Sequence, residues 1–247
     1  TQASVQYLER KDDRWLVHYQ LLDSGREGFD APTMFVSADI AILAASSLGS
    51  TEILLRSNAN GLPLSEQLGH RFTGNSDMTG FAYNCDQPIN SVGFGNRAPG
   101  EMEPVGPCIT GVIDIREQPQ LDNGIVIEEG AAPGALSGFL PAGLDAAAKL
   151  FGKDTDSGVG DYVREKKREL ESLLRGAYHG AVKNTQVYLV MTHDDGAGRM
   201  YLEGERLRIK WPNVGKQPIF GRVNDRLEEA TRALGGTYVK NPIWSQL

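Results

Sequence analysis

Two adjacent carboxylates, Glu128 and Glu129, end an apolar segment within GIVIEEGAAPGAL (residues 124–136). Successive side chains of a β-strand point to opposite faces, so one of the two follows the buried face. A carboxylate that apolar neighbours desolvate holds its proton more tightly and can move protons near neutrality. The competing interpretation, which the pattern alone favours, is a solvated strand end with two exposed glutamates.

A second candidate site is the small-residue turn AASSLGS (residues 44–50), which follows the apolar run 40–44. Small side chains such as those of Ala45, Ser46 and Gly49 let backbone N–H groups approach a pyrophosphate, and a following helix adds its N-terminal dipole. No GxGxxG motif accompanies the turn. Tight packing of a strand on a helix, without any ligand, is therefore the alternative that the pattern alone favours.

A third candidate is GHRFTGNSDMTGFAYN (residues 69–84), where polar and aromatic side chains are mixed. Asn75, Phe81 and Tyr83 are residue types that line small-molecule pockets. An irregular loop has the same composition, and His70 is interpreted as a structural histidine. The segment is therefore a candidate for substrate binding without an assigned catalytic role.

The elements that would position these residues are of two kinds. Residues 4–36 alternate like a β-meander, and the apolar run 40–44 predicts a strand buried on both faces and followed by a helix. From Gly61 onward, short β-type segments between glycine and proline turns predict an antiparallel or mixed sheet. Apolar residues recur at helical spacing over 159–178 and 219–234, which predicts two amphipathic helices.

Composition argues against several classes of function. The 247 residues carry a formal net charge of -7, so a general nucleic-acid binder is disfavoured, because phosphate contacts need a basic surface. Cys85 and Cys108 form no CxxC pair, which argues against a disulfide scaffold or a zinc site, and no metal ligands are predicted. The first residues do not resemble a signal peptide, which favours a cytoplasmic location.

A resemblance to the glucose-methanol-choline (GMC) flavoprotein oxidoreductases, and most of all to their cholesterol-oxidase-like branch, extends over nearly the whole chain. It is carried by five segments in this order: AASSLGSTEILLRS (44–57), LPLSEQLGHRFTGNSD (62–77), GIVIEEGAAPGAL (124–136), LRIKWP (207–212) and GGTYV (235–239). The resemblance implies hydride transfer from the CH–OH group of a bulky hydrophobic alcohol, such as a sterol, to FAD. The alternative from another class is a non-catalytic module that binds a hydrophobic ligand.

The resemblance also implies an α+β architecture. A mixed or antiparallel sheet of about six strands, flanked by helices, would form the substrate-binding domain over 61–247. Residues 1–60, with the β-meander and one strand–helix crossover, would be the remnant of an FAD-binding α/β domain. Family members carry a glycine-rich βαβ unit before this region and a histidine-bearing segment after it. Neither occurs here, so the chain is expected to be a central fragment that is inactive and does not retain FAD.

Residue by residue, the resemblance brings Ala45, Ser46 and Gly49 close to the cofactor, although the family usually has glycine where this chain has Ser46. Glu129 corresponds to the carboxylate that moves a proton during double-bond isomerisation in sterol-oxidising relatives. The spacing from Glu129 to the following proline is one residue longer than in those relatives. Glu129 is accordingly the predicted catalytic residue of this chain.

The segment with Asn75, Phe81 and Tyr83 would lead toward the substrate cavity. The partners that the resemblance implies are a small hydrophobic alcohol and the FAD-binding half of the same protein. Two further partners are possible on this interpretation: a membrane surface during substrate uptake, and a second copy of the chain. Apolar patches that lack those partners are expected near residues 40–48 and 243–244.

Overall fold

The computed structural model describes residues 2–22, 32–93, 109–156 and 158–241. Its strands are β1 (Ala3–Lys11), β2 (Arg14–Leu21), β3 (Met34–Ala38), β4 (Met78–Tyr83), β5 (Val112–Ile115), β6 (Ile125–Gly130), β7 (Gly152–Asp154), β8 (Gln186–Thr192), β9 (Arg199–Glu203), β10 (Arg206–Lys210) and β11 (Thr237–Lys240). Its α-helices are α1 (Ser46–Ala59), α2 (Leu140–Phe151), α3 (Val159–Arg175), α4 (Gly180–Lys183) and α5 (Pro218–Leu234).

The chain divides into two compact units. The first comprises Thr1–Thr73 and Gly196–Pro212, and the second comprises Gly74–Asp195 and Asn213–Leu247. A division into compact units does not show which unit binds a cofactor or a substrate. The predicted domain boundary after residue 60 therefore stays a prediction. No helix of the described ranges combines the length and the apolar character that crossing a bilayer requires.

The first unit contains the predicted meander. Strands β1, β2 and β3 form an antiparallel sheet in that order. Asp12 and Asp13 join β1 to β2, and both have positive φ angles, of 49° and 60°, as a two-residue type I′ hairpin turn requires. Helix α1 is attached to β1 through the buried Ser57, whose Oγ accepts a hydrogen bond from the backbone N of Leu8 at 2.8 Å.

The strand predicted over residues 40–44 is wrong. Residues 40–44 have no regular secondary structure, and the side chains of Ile40 and Ile42 are 76% and 85% exposed. An apolar segment forms a buried strand only where neighbouring strands pair with it and other elements cover its two faces. No described residue pairs with residues 40–44. The exposed apolar patch expected near residues 40–48 is confirmed, whereas residues 243–244 lie outside the described ranges.

The second unit is built on the predicted sheet of about six strands. Six antiparallel strands lie in the order β5-β6-β8-β4-β11-β7. Helix α5 covers one face, where the Leu227 side chain approaches Gly80 of β4 so closely that a Cβ there would lie 3.0 Å from it. The opposite face packs on α2 and α4 in an apolar cluster that includes Tyr83, Leu144 and Val182.

Both predicted helices of this unit are present, but the orientation of α3 differs from the prediction. Its apolar positions, such as Val159 and Leu174, are exposed, whereas the polar Glu165 and Ser172 are buried. Helix α3 ends at Arg175, three residues earlier than predicted, because Gly176 takes a φ of 90° that breaks the helix. Helix α5 ends at Leu234, as predicted, and the following Gly235 has a φ of 59°, the left-handed conformation typical of a residue that ends a helix.

Cys85 is fully buried: its side chain is 0% exposed, and its Sγ donates to the carbonyl of Ala82. Burial raises the pKa of the Cys85 thiol to about 11. Because the thiolate is the reactive form, we expect no alkylation of Cys85 by iodoacetamide at pH 8 in the folded chain, and full alkylation in urea. Peptide mass spectrometry would measure this, and rapid alkylation of the folded chain would contradict it.

Candidate functional site

An open cavity of about 440 Å³ lies in the second unit between helix α5 and the β5–β6–β8 part of the sheet. Its lining is formed by Gly111, Val112, Ile113, Ile127, Glu128, Glu129, Gln186, Tyr188, Ala230, Ala233 and Leu234. Most of these side chains are apolar. Small side chains at 230 and 233, three residues apart on the same side of α5, leave room between helix and sheet.

Strand register decides which of the two adjacent glutamates faces this cavity. Ile127 lies opposite Val190 and Glu129 lies opposite Tyr188, so all four share the face that α5 covers. By alternation, the side chain of Glu128 points to the other face of the sheet. The sequence alone does not decide which of the two glutamates faces the cavity, but the strand register shows that it is Glu129.

Glu129 is held at the cavity wall by β5 and the residues that precede it. Its backbone N donates to the carbonyl of Gly111 at 3.1 Å, and the hydroxyl of Thr110 donates to its Oε2. The side chain is half-buried. A carboxylate in this position can accept a hydrogen bond or a proton from a molecule in the cavity.

Tyr188 of β8 is the most buried of the polar residues that line the cavity. Its hydroxyl shares a hydrogen bond of 3.3 Å with Thr231 Oγ1 of α5. Burial raises the pKa of Tyr188 to about 12, so the phenol stays neutral at physiological pH. It can orient a ligand through a hydrogen bond, but it does not act as a base near neutrality.

The residues predicted to bind substrate are not brought together with Glu129. Phe81 and Tyr83 point to the opposite face of the sheet, where Tyr83 is 2% exposed within the apolar cluster. Asn75 lies in the turn before β4, with a φ of 54°, and its carbonyl accepts from the backbone N of Thr192. Their predicted role in binding stays a prediction.

Sequence reasoning missed Tyr188, Ala230 and Ala233 as cavity residues. The two alanines lie among the apolar positions of α5, and their spacing marks one stripe of the helix. This spacing does not reveal which strands the stripe meets, because that depends on the order of strands in the sheet. The one signal in the sequence was therefore the pair of small side chains, three residues apart, on one side of α5.

The predicted cofactor turn lies at the N-terminus of α1 in the first unit. Ala45 and Ser46 are exposed, and the first turn of the helix has neither an acidic residue nor a side-chain cap. The backbone N–H of Ala45 donates to Ser50 Oγ at 3.1 Å. Gly49 allows close packing within the turn, because a Cβ there would lie 3.0 Å from the Cβ of Ala45.

Ser46 has a φ of 61°, in the left-handed region that favours glycine. We therefore expect Ser46→Gly to raise the free energy of unfolding by about 0.5–1 kcal/mol. Ser47→Gly is the matched control, and it should lower the same quantity by about 0.5 kcal/mol, because glycine costs helix propensity there. Urea denaturation of both variants measures this, and equal destabilisation by the two would contradict it.

Comparison with known proteins assigns this chain to no family. No protein-family model matches it, and no curated protein is significantly similar to it. The resemblance to the GMC flavoproteins accordingly rests on the five segments alone.

Proposed function

We propose that this chain is the substrate-binding part of an FAD-dependent oxidoreductase that acts on the CH–OH group of a bulky hydrophobic alcohol, such as a sterol. The observation that carries the proposal is the apolar cavity of about 440 Å³ with the Glu129 carboxylate in its wall. Cavities of about 300–1,000 Å³, mostly apolar with a few polar groups, are typical small-molecule sites. A large ring system with a single hydroxyl group suits such a lining.

The residues of the cavity would divide the work between binding and proton transfer. The side chains of Ile113, Ile127 and Ala233 would bury the apolar body of the alcohol. Tyr188 would orient its polar end by a hydrogen bond. The Glu129 carboxylate could take a proton from one carbon of the oxidised ligand and return it to another, which moves a double bond without net change in protonation.

The residues at the N-terminus of α1 fit an anionic cofactor group. The side chains of Ala45 and Ser46 are small and exposed. The first turn of α1 has no acidic residue and no side-chain cap, so its backbone N–H groups could donate to an anion. The exposed apolar residues Ile40 and Ile42 just before them suit a surface that a partner covers. When bound, FAD would supply the acceptor for the hydride that leaves the carbinol carbon.

A second candidate function is a module that binds a hydrophobic ligand without catalysis. The same cavity favours it, because the apolar lining needs no cofactor to bind a ligand. The two functions differ in what Glu129 contributes: proton transfer in the enzyme, and at most a hydrogen bond in the module.

Glu129→Gln tests the enzymatic proposal in the complete gene product that contains this chain. With a β,γ-unsaturated steroid-like ketone, we expect double-bond migration to slow at least about 100-fold, because the amide cannot accept the proton. Binding of the ketone should change less than about threefold. Absorbance of the conjugated product follows the reaction, and quenching of tryptophan fluorescence follows binding.

Glu128→Gln is the matched control, because this side chain sits one residue away on the other face of the sheet. Full migration by Glu128→Gln and loss by Glu129→Gln would support the proposal. Equal activity of Glu129→Gln and the unchanged protein would contradict it. Ligand binding with no migration in the unchanged protein would favour the non-catalytic module.

A further inference from the structure

Three carboxylates meet at one edge of the six-stranded sheet, away from the cavity beside α5. Asp154 ends β7, Asp156 lies two residues later in the segment before α3, and Glu165 belongs to α3. One carboxylate oxygen from each lies within 4.8 Å of the other two. We propose that Asp154, Asp156 and Glu165 form a binding site for a hard divalent cation of the size of Ca²⁺.

The burial of Glu165 distinguishes this cluster from an ordinary acidic surface. Glu165 is only 7% exposed, and its Oε1 atom has no hydrogen-bond partner among the described residues. Oδ1 of Asp156 is likewise buried without a partner there. Buried carboxylate oxygens that are unpaired are costly, whereas a bound cation would satisfy both.

The positive side chains nearby are engaged elsewhere. Arg164 binds Oδ1 of Asp161 at 3.0 Å. The guanidinium of Arg168 donates from Nε to Asn84 Oδ1 at 2.6 Å and lies 3.9 Å from Asp86. Within the described ranges, no arginine or lysine forms a salt bridge with the three carboxylates of the cluster.

The spacing of the oxygens suits one ion. Calcium binds oxygen ligands at about 2.3–2.6 Å, so two oxygens on opposite sides of it are about 4.6–5.2 Å apart. Three oxygens spaced evenly around one Ca²⁺ are about 4.0–4.5 Å apart. The three carboxylates, with oxygens within 4.8 Å of one another, reach this spacing with small side-chain adjustments. Asp154 is exposed, which opens the site to solvent and lets water complete the coordination.

A bound ion would join the short edge strand β7 to helix α3. β7 has three residues and pairs only with β11 among the described strands. An ion shared by the end of β7, Asp156 and α3 would hold this edge of the sheet through three side chains. We therefore expect the cation to stabilise the folded chain, since it binds the folded state and not the unfolded one.

Calorimetric titration of the metal-stripped chain with CaCl₂, and separately with MgCl₂, tests the proposal. We expect one Ca²⁺ per chain with a Kd between about 10 µM and 1 mM. At a Ca²⁺ concentration 100-fold above this Kd, the thermal midpoint should rise by about 5 °C. Weaker binding of Mg²⁺ is expected, because that ion demands a tighter octahedral shell.

Glu165→Gln should weaken Ca²⁺ binding at least about tenfold. Glu171→Gln is the matched control, because Glu171 lies on the same helix, pairs with Arg175 and is not part of the cluster. If Glu165→Gln does not fold, the exposed Asp154→Asn gives the same test. No heat and no shift of the thermal midpoint at 10 mM of either ion, or an equal shift in Glu165→Gln, would overturn the proposal.

Discussion

Ala233→Trp is expected to lower the affinity for a bulky hydrophobic alcohol by about 70-fold. Ala233 is exposed at the rim of the cavity beside α5, so an indole there can fill the cavity without entering the core. If the indole displaces about 100 Å² of apolar contact with the ligand, the loss is about 2.5 kcal/mol, which corresponds to that factor.

The measurement is titration of the chain with a fluorescent hydrophobic alcohol. Ala233→Ser is the matched control, because serine keeps the cavity open at the same position, and its affinity should stay within about threefold of the original. Thermal unfolding of both variants checks that the fold is intact. Unchanged affinity in a folded Ala233→Trp variant would show that the ligand does not bind beside α5.

Glu165→Gln is expected to stabilise the metal-free chain by about 2 kcal/mol at pH 8 and by close to nothing at pH 4.5. Burial, followed by the charges of Asp161, Asp154 and Asp156, raises the pKa of Glu165 from 4.5 to about 7, and Arg168 opposes the shift. The folded chain thus binds this proton more tightly than the unfolded chain. Its free energy of unfolding therefore falls as the pH rises from about 4.5 to about 7.

The Glu165→Gln variant has no ionisable group at this position, so its free energy of unfolding lacks this decrease with rising pH. Asp156, whose pKa is raised to about 6 by burial and by its acidic neighbours, contributes a similar loss between about pH 3.8 and 6 in both proteins. Urea denaturation with EDTA at pH 4.5 and pH 8 measures the difference, and Glu171→Gln serves as the control. A difference between Glu165→Gln and the original chain that does not change with pH would contradict this explanation.

Local patterns predicted most elements of the fold because their causes are local. The turn at Asp12 and Asp13 and the apolar spacing of α3 and α5 are properties of short segments. Residues 40–44 show where this reasoning fails. An apolar run looks the same whether other strands cover it or solvent does, so its exposure depends on contacts with distant parts of the chain.

The candidate site was predictable only in part. Alternation along β6 limited the choice to Glu128 or Glu129, but the register with β8 and the position of α5 were needed to decide it. Alternation along β4 placed Phe81 and Tyr83 on the same face, but the local sequence does not indicate which helices cover that face. The three carboxylates of the acidic cluster lie close in the sequence, but the burial of Glu165 depends on distant residues such as Asn84, whose side-chain amide donates to the carbonyl of Glu165.

The most direct measurement of the proposed function is anaerobic titration of the complete gene product that contains this chain with a hydrophobic secondary alcohol. The absorbance of the bound flavin is followed during the titration. We expect the oxidised flavin band to disappear as one equivalent of ketone forms, and Ala233→Trp to need far more alcohol for the same change. A protein that holds no flavin, or a flavin that stays oxidised while the alcohol binds, would contradict the proposal.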